Sequence, residues 1–291
     1  GGIAPERLQL PVIPLGVNVC SLNNTHNRFQ ARKILGLDSE AMVVLWTGRF
    51  EVHCKAHHAS TFQALASAYS LAPKRHWVLL MYGTAVMPGI PAALKEAAFK
   101  FCPTIDVRFL DGHDEDLASV CRSASDVFLS LADSFQETFG LTPVEAMSSG
   151  LPVVVSDWNG YRDSVSDGRT GFLIPTTVFW PGTASENMGP VSYSETQVDA
   201  VAARLTSQVC VDVDFAGHCL ARLALSPEMN VAMGSLAQQS MLQTRDWSVV
   251  LPQYDALLLD LCERRQHAFN QASQYAAFDR SMKSICWQDL F

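Results

Sequence analysis

Residues 137–158 read ETFGLTPVEAMSSGLPVVVSDW, a loop that turns into a short helix and then into an apolar strand. Thr142-Pro143-Val144-Glu145 has the form of a capping box with proline at the first helical position, so a helix is expected to start at Pro143 with Glu145 at its third residue. Gly150 and Pro152 should stop it after about two turns. The unpaired N–H groups and positive dipole end of that helix would face the loop ETFGL, where an anion is stabilised. Glu137 stands in this loop, eight positions before Glu145.

The same alternation repeats outward along the chain. Apolar, β-branched runs occur at MVVLWTG (42–48), WVLLMYG (77–83), VRFLDG (107–112), DVFLSLA (126–132), PVVVSD (152–157) and GFLIP (171–175), and segments with helical spacing, such as 60–70 and 114–124, stand between them. Near-continuous apolar runs suit strands that are covered on both faces. Alternation with helices then predicts an α/β fold, a doubly wound parallel sheet. Residues 176–197 break the rhythm with Pro, Gly, Ser and Thr and read as a surface loop or insertion. Helices return at SPEM (226–229), with serine as N-cap and proline at N1, and in a run from about Asp246 whose apolar side holds Leu257, Leu258, Leu261 and Phe269.

Composition narrows the partners. The chain has 291 residues, 48% hydrophobic and 17% charged, with a net charge of −8. That is enough apolar material for a sizeable core, and the acidic balance argues against a nucleic-acid partner, which would need clustered Lys and Arg. No apolar run reaches the roughly 18 residues that span a bilayer, and the N-terminus lacks a basic region followed by an apolar core, so a cytoplasmic protein is expected. The eight cysteines form no CxxC pair and read as buried reduced thiols. The chain begins without methionine, within what reads as a linker, and is expected to be a fragment of something longer.

In an open α/β sheet, ligands bind at the carboxyl ends of the strands. Gly48-Arg49, Gly83-Thr84, Gly112-His113 and the segment from Ser134 to Gly140 all fall there. Arg49 and Lys55, in GRFEVHCK, bring two cations that match a diphosphate, and Glu137 is suited to accept hydrogen bonds from hydroxyls. The expected ligand has an anionic centre and hydroxyl-rich ends.

Together, ETFGLTPVEAM with the following GLPVVVSDWNGYRDSVSDGRTGFLIP, GRFEVHCK, and VIPLGVN at 12–18 resemble the retaining family 4 (group 1) glycosyltransferases. The resemblance spans about residues 8–175, and more weakly 213–265. It implies one half of a two-domain GT-B fold: a hinge over residues 1–18, a Rossmann-like donor-binding domain over 19–175, an insertion loop and helix over 176–212, and C-terminal helices over 213–291. In that scheme Glu137 contacts the hydroxyls of the donor sugar, and the backbone of Thr138, Phe139, Gly140 and Leu141 approaches sugar and diphosphate, with Thr142 in the same set. Glu145 takes the ribose hydroxyls, Arg49 and Lys55 stabilise the departing diphosphate, and Gly112 and His113 lie by the base.

The resemblance further implies a nucleoside diphosphate sugar as donor and a glycan, lipid or small molecule as acceptor, held by an N-terminal domain absent here. It implies no metal and no other cofactor, and leaves peripheral membrane attachment of the longer protein open. Transfer would proceed with retention, the acceptor approaching on the face the diphosphate leaves. The sequence departs from the pattern at Leu15, where relatives often have Asn, and at Ala56-His57-His58, where a glycine often follows the lysine. The alternatives are a non-catalytic nucleotide-sugar-binding module and another GT-B activity, such as a sugar-nucleotide epimerase. His53, Cys54, His57 and His58 lack a convincing fourth zinc ligand, and Asp114 and Asp212 read as helix caps rather than metal ligands.

Overall fold

The computed structural model describes residues 11–22, 26–51, 56–85, 87–135, 137–178 and 205–274. Its centre is a six-stranded parallel sheet in the order β3-β2-β1-β4-β5-β6, built from β1 (Met42–Phe50), β2 (Trp77–Ala85), β3 (Asp106–Asp111), β4 (Val127–Ser130), β5 (Val153–Ser156) and β6 (Gly171–Ile174). Each strand coincides with one of the apolar runs. The helices are α1 (Val19–Leu22), α2 (Arg28–Ile34), α3 (His58–Leu71), α4 (Ile90–Phe101), α5 (Glu115–Ala124), α6 (Leu141–Ser148), α7 (Tyr161–Ser164), α8 (Val213–Leu225), α9 (Pro227–Thr244) and α10 (Trp247–Gln274). This is a doubly wound α/β fold, and its strand order reverses between β1 and β4.

Successive strand residues point to opposite faces, and both faces are covered. Val44, Trp46, Leu79, Met81, Leu129 and Val154 pack under Phe62 and Leu65 of α3 and Leu220 of α8. Val43, Leu45, Val78, Leu80, Phe128 and Val155 pack under Cys121 of α5, Met147 of α6 and Met241 of α9. Each fully buried Leu, Val or Phe contributes roughly 1.5–3 kcal/mol. Two-sided burial is why the runs lack alternation.

Several local expectations change. The helix after the ETFGL loop starts at Leu141, two residues early, with Gly140 as N-cap at φ 81° and no side-chain cap. Glu145 is therefore the fifth helical residue, and the Thr142–Glu145 capping box does not form. A capping box does occur at α2, where Asn27 accepts from the Gln30 N–H at 2.9 Å and Gln30 reaches back to the Asn27 N–H. Asp114 and Asp212 cap α5 and α8, as their spacing predicts. Ser226 makes no cap bond, although Pro227 does open α9. The expected loop from residue 176 instead begins with β7 (Thr176–Val178), which pairs antiparallel with β8 (Val209–Val211). Residues 179–204, which hold the rest of that expected insertion, lie outside the described ones, as do Cys54, Cys286 and the tail from 275.

Cysteine burial is mixed. Cys102, Cys121 and Cys219 are buried, with burial pushing the first two thiols up to about 12 and the third to about 11. Cys20, Cys210 and Cys262 are exposed, against expectation.

At the amino edge of the sheet, Arg32 forms a buried hub. Its guanidinium donates to Asp126 at 2.8 Å and to the carbonyls of Ala124 and Ala41, both at 3.0 Å, while Asp126 also accepts from the Val43 N–H at 2.7 Å and pairs with Arg28 at 2.6 Å. The hub ties α2 and α5 to the starts of β1 and β4.

The chain divides into two compact units. One is Val17–Asp246. The other combines the two chain ends, of which residues 11–16 and α10 are described; Leu258, Leu261 and Phe269 are exposed on α10. Among the described residues no helix is long and apolar enough to cross a membrane.

Candidate functional site

A cavity of about 350 Å³ opens at the carboxyl edge, where the strand order reverses between β1 and β4. Leu45, Thr47, Gly48 and Arg49 line it from β1, Tyr82, Gly83 and Thr84 from β2, and Gly112 from the end of β3. Ala118 and Arg122 enter from α5, Phe128 from β4, and Thr142, Glu145 and Ala146 from α6. The strand ends approach so closely that a side chain at Gly83 would collide with the Gly48 carbonyl. The Gly112 N–H donates to the Gly83 carbonyl at 2.9 Å, which leaves bare backbone along that lip.

The cavity thus gathers Arg49, Gly112, Thr142 and Glu145 from the residues singled out in the sequence. The Arg49 side chain is 56% exposed, 3.4 Å from Glu51, so its charge is available to a ligand. Thr142 sits in the first turn of α6, whose N–H groups have no side-chain cap. Glu145 is half-buried, and burial pushes its carboxyl above the usual range against the opposing charge of Arg122.

Glu137, Thr138, Phe139 and Gly140, in the adjoining loop that leads into α6, and Leu141, the first residue of α6, do not line the cavity. The run from the end of β4 into that loop is braced from behind by the end of β5 and the segment after it. Ser156 Oγ donates to the Ala132 carbonyl at 2.6 Å, Trp158 Nε1 to the Ser134 carbonyl at 3.0 Å, and Asn159 Nδ2 to the same carbonyl at 3.3 Å. Tyr161 is buried, and its phenol is held above the ordinary range first by burial and then by the charge of Glu137. A side chain at Gly140 would collide with the Tyr161 ring. The left-handed backbone there also favours glycine.

His113 is exposed and paired with Asp111 at 2.8 Å, and it does not line the cavity. Lys55 lies outside the described residues, as do His53 and Cys54. His57 is the N-cap residue of α3 and donates its N–H to the Asp133 carboxylate at 3.2 Å. His58 is buried edge-on against Trp46, with burial lowering it to about 4. Neither of its ring nitrogens has a partner among the described residues.

Thr47, Tyr82 and Arg122 also line the cavity without having been singled out in the sequence. No local spacing points to Arg122, which enters the cavity from the last turn of α5.

Residues 41–179 match the family described as glycosyl transferases group 1. This stretch is similar to a group 1 glycosyltransferase domain. Over 174 residues the chain is 32% identical to a D-inositol 3-phosphate glycosyltransferase of Streptomyces avermitilis, covering 58% of this chain and 36% of that protein. Over 161 residues it is 35% identical to the enzyme of the same name from Rhodococcus erythropolis, covering 54% and 35%. The chain therefore spans about a third of the length of these relatives.

The fold has solved counterparts. Anabaena Alr3699/HepE, crystallised with UDP and glucose, aligns with a TM-score of 0.60 at 17% identity, over 86% of this chain and 57% of that one. A glycosyltransferase from Rickettsia africae aligns with a TM-score of 0.57 at 16% identity, over 85% and 56%.

Proposed function

We propose that this domain is the donor-binding half of a glycosyltransferase, holding a nucleoside diphosphate sugar for retaining transfer to an acceptor presented by another domain. The observation that carries this reading is the cavity at the β1/β4 reversal, which sets a cation and uncapped helix N–H groups near a carboxylate. Arg49 and the first turn of α6 suit a diphosphate, since both present positive charge to it. Glu145, inside the cavity, suits the two hydroxyls of a ribose. Glu137, on the braced loop, suits the hydroxyls of the sugar. Gly112 and His113 at the end of β3 would lie by the base.

Lys55 would join Arg49 as the second cation on the leaving diphosphate. Stabilising that leaving group is then the chief catalytic lever, and the scheme needs no metal and no separate cofactor. The names of the relatives and the UDP and glucose in the Anabaena structure support the reading. The acceptor would be a glycan, a lipid or a small molecule.

Calorimetric titration with UDP, GDP, ADP and their sugars tests it. Binding of one nucleoside diphosphate series is expected, and absence of binding by every member would overturn the reading.

A further inference from the structure

Arg122, in the last turn of α5, and Glu145, in α6, line the same cavity from two different helices. The wall they share is largely apolar: Leu45 from β1, Ala118 one turn before Arg122, Phe128 from β4 and Ala146 beside Glu145. A carboxylate against such a wall loses hydration, which favours its neutral form. A neutral carboxyl must use one oxygen as a donor and is a poorer acceptor for a pair of hydroxyls. The opposing influence is the charge of Arg122, and the other elements packed on α6, namely β4, β5, α1 and α9, bring no charge that moves Glu145. Around the rest of the cavity, Arg49 stands at the end of β1 and Tyr82 on β2. The Arg122 charge reaches Tyr82 and Cys121 as well, acting on both against their burial. Its Nε is covered and meets no acceptor among the described residues.

We propose that Arg122 is a positioning residue of the donor site, keeping Glu145 in the ionised, doubly accepting form that takes the ribose hydroxyls. The proposal rests on the assignment of Glu145 to the ribose made above. Arg122 thereby sets the lower pH limit of nucleotide binding. Without it, Glu145 takes up a proton more readily, and discrimination in favour of a ribose fades as pH falls.

The test is calorimetric titration of the whole chain and its Arg122→Met and Arg122→Lys variants, near pH 6 and near pH 8. The probes are UDP, GDP and ADP, each beside its 2′,3′-dideoxy form. The parent should prefer the ribose form of the nucleotide it binds. Arg122→Met should weaken binding of that form about tenfold near pH 6 and about threefold near pH 8, leaving the dideoxy form unmoved. Arg122→Lys should recover most of the loss. Should Arg122→Met fail to fold, Arg122→Gln, which removes the charge but keeps a donor, is read the same way. A folded variant lacking the charge that keeps the parent's ribose preference at both pH values overturns the proposal and leaves the Glu145 assignment standing. Equal binding of ribose and dideoxy forms by the parent overturns that assignment, and the proposal with it.

Discussion

The Tyr161 phenol and the Ser130 hydroxyl lie 2.9 Å apart at the base of the loop that carries Glu137. The pair joins the end of β4 to α7, and the Tyr161 ring fills the space a side chain at Gly140 would need. Gly140→Ala should therefore destabilise the protein by at least about 2 kcal/mol, since a left-handed alanine alone costs roughly 1–2 kcal/mol before the collision is counted. Tyr161→Phe, which removes only the hydroxyl, should cost about 1 kcal/mol. Urea unfolding of both variants checks the ranking, and a Gly140→Ala protein as stable as the parent would show that the loop is free to shift.

Arg49 is the exposed cation of the cavity rim, so its contribution should follow ligand charge. Arg49→Ala should weaken nucleoside diphosphate binding by roughly 1–3 kcal/mol and leave nucleoside binding nearly unchanged. Lys55→Ala is expected to do the same. Titration of each variant with nucleoside and diphosphate decides the matter: equal losses for the two ligands would remove both residues from a phosphate role.

The two glutamates should separate by the part of the ligand each serves. Glu145→Gln no longer has a capping role to lose, because the helix starts at Leu141, so its effect should fall on the nucleoside moiety. Glu137→Gln should leave bare diphosphate binding intact and abolish the preference for nucleotide-sugar over nucleotide. Titration of both variants with nucleotide and nucleotide-sugar is the check, and equal weakening of the bare nucleotide by both would contradict this division.

The strands were legible because two-sided burial writes them as uninterrupted apolar runs, as in Val43-Val44-Leu45 and Val153-Val154-Val155. The position of the cavity was legible too, since glycines 48, 83 and 112 mark strand ends. Helix starts were not: Thr142-Pro143 looked like a cap, but the left-handed backbone of Gly140, fixed by the ring of Tyr161 twenty-one residues later, starts the helix sooner. Arg122 was missed for a related reason. It comes to Glu145 through the packing of two helices on one sheet, which no local spacing records.

The Arg32–Asp126 pair at the opposite edge should behave as a structural hub. Asp126→Ala leaves two arginines without their carboxylate and should cost about 3–5 kcal/mol. The loss should appear in chemical unfolding, while the nucleotide affinity of the folded fraction stays unchanged. A substantial change in that affinity would mean that the two sheet edges are coupled.

Asp133 gives the stability a pH dependence with a definite sign. Asp133 is 4% exposed, and its carboxylate accepts from the His57 N–H, at 3.2 and 3.3 Å, and from its own backbone N–H. Burial raises it from an ordinary 3.8 to about 7, more than those two bonds lower it. A carboxyl raised in the folded state contributes stability that is fully present below its unfolded value and lost as pH rises through its folded value, so the loss runs from about pH 4 to about pH 7. His58 acts in the opposite sense: lowered to about 4, it contributes stability that is lost as pH falls from 6.5 through that value. Comparing parent and variant at each pH isolates Asp133. Asn can still accept from the His57 N–H but carries no charge, so Asp133→Asn should be the more stable protein near pH 8, by on the order of 2–4 kcal/mol, and should lose that advantage near pH 4. Denaturant unfolding across this range checks the prediction. Parallel stability curves for parent and variant would mean that Asp133 is ionised in the folded protein throughout.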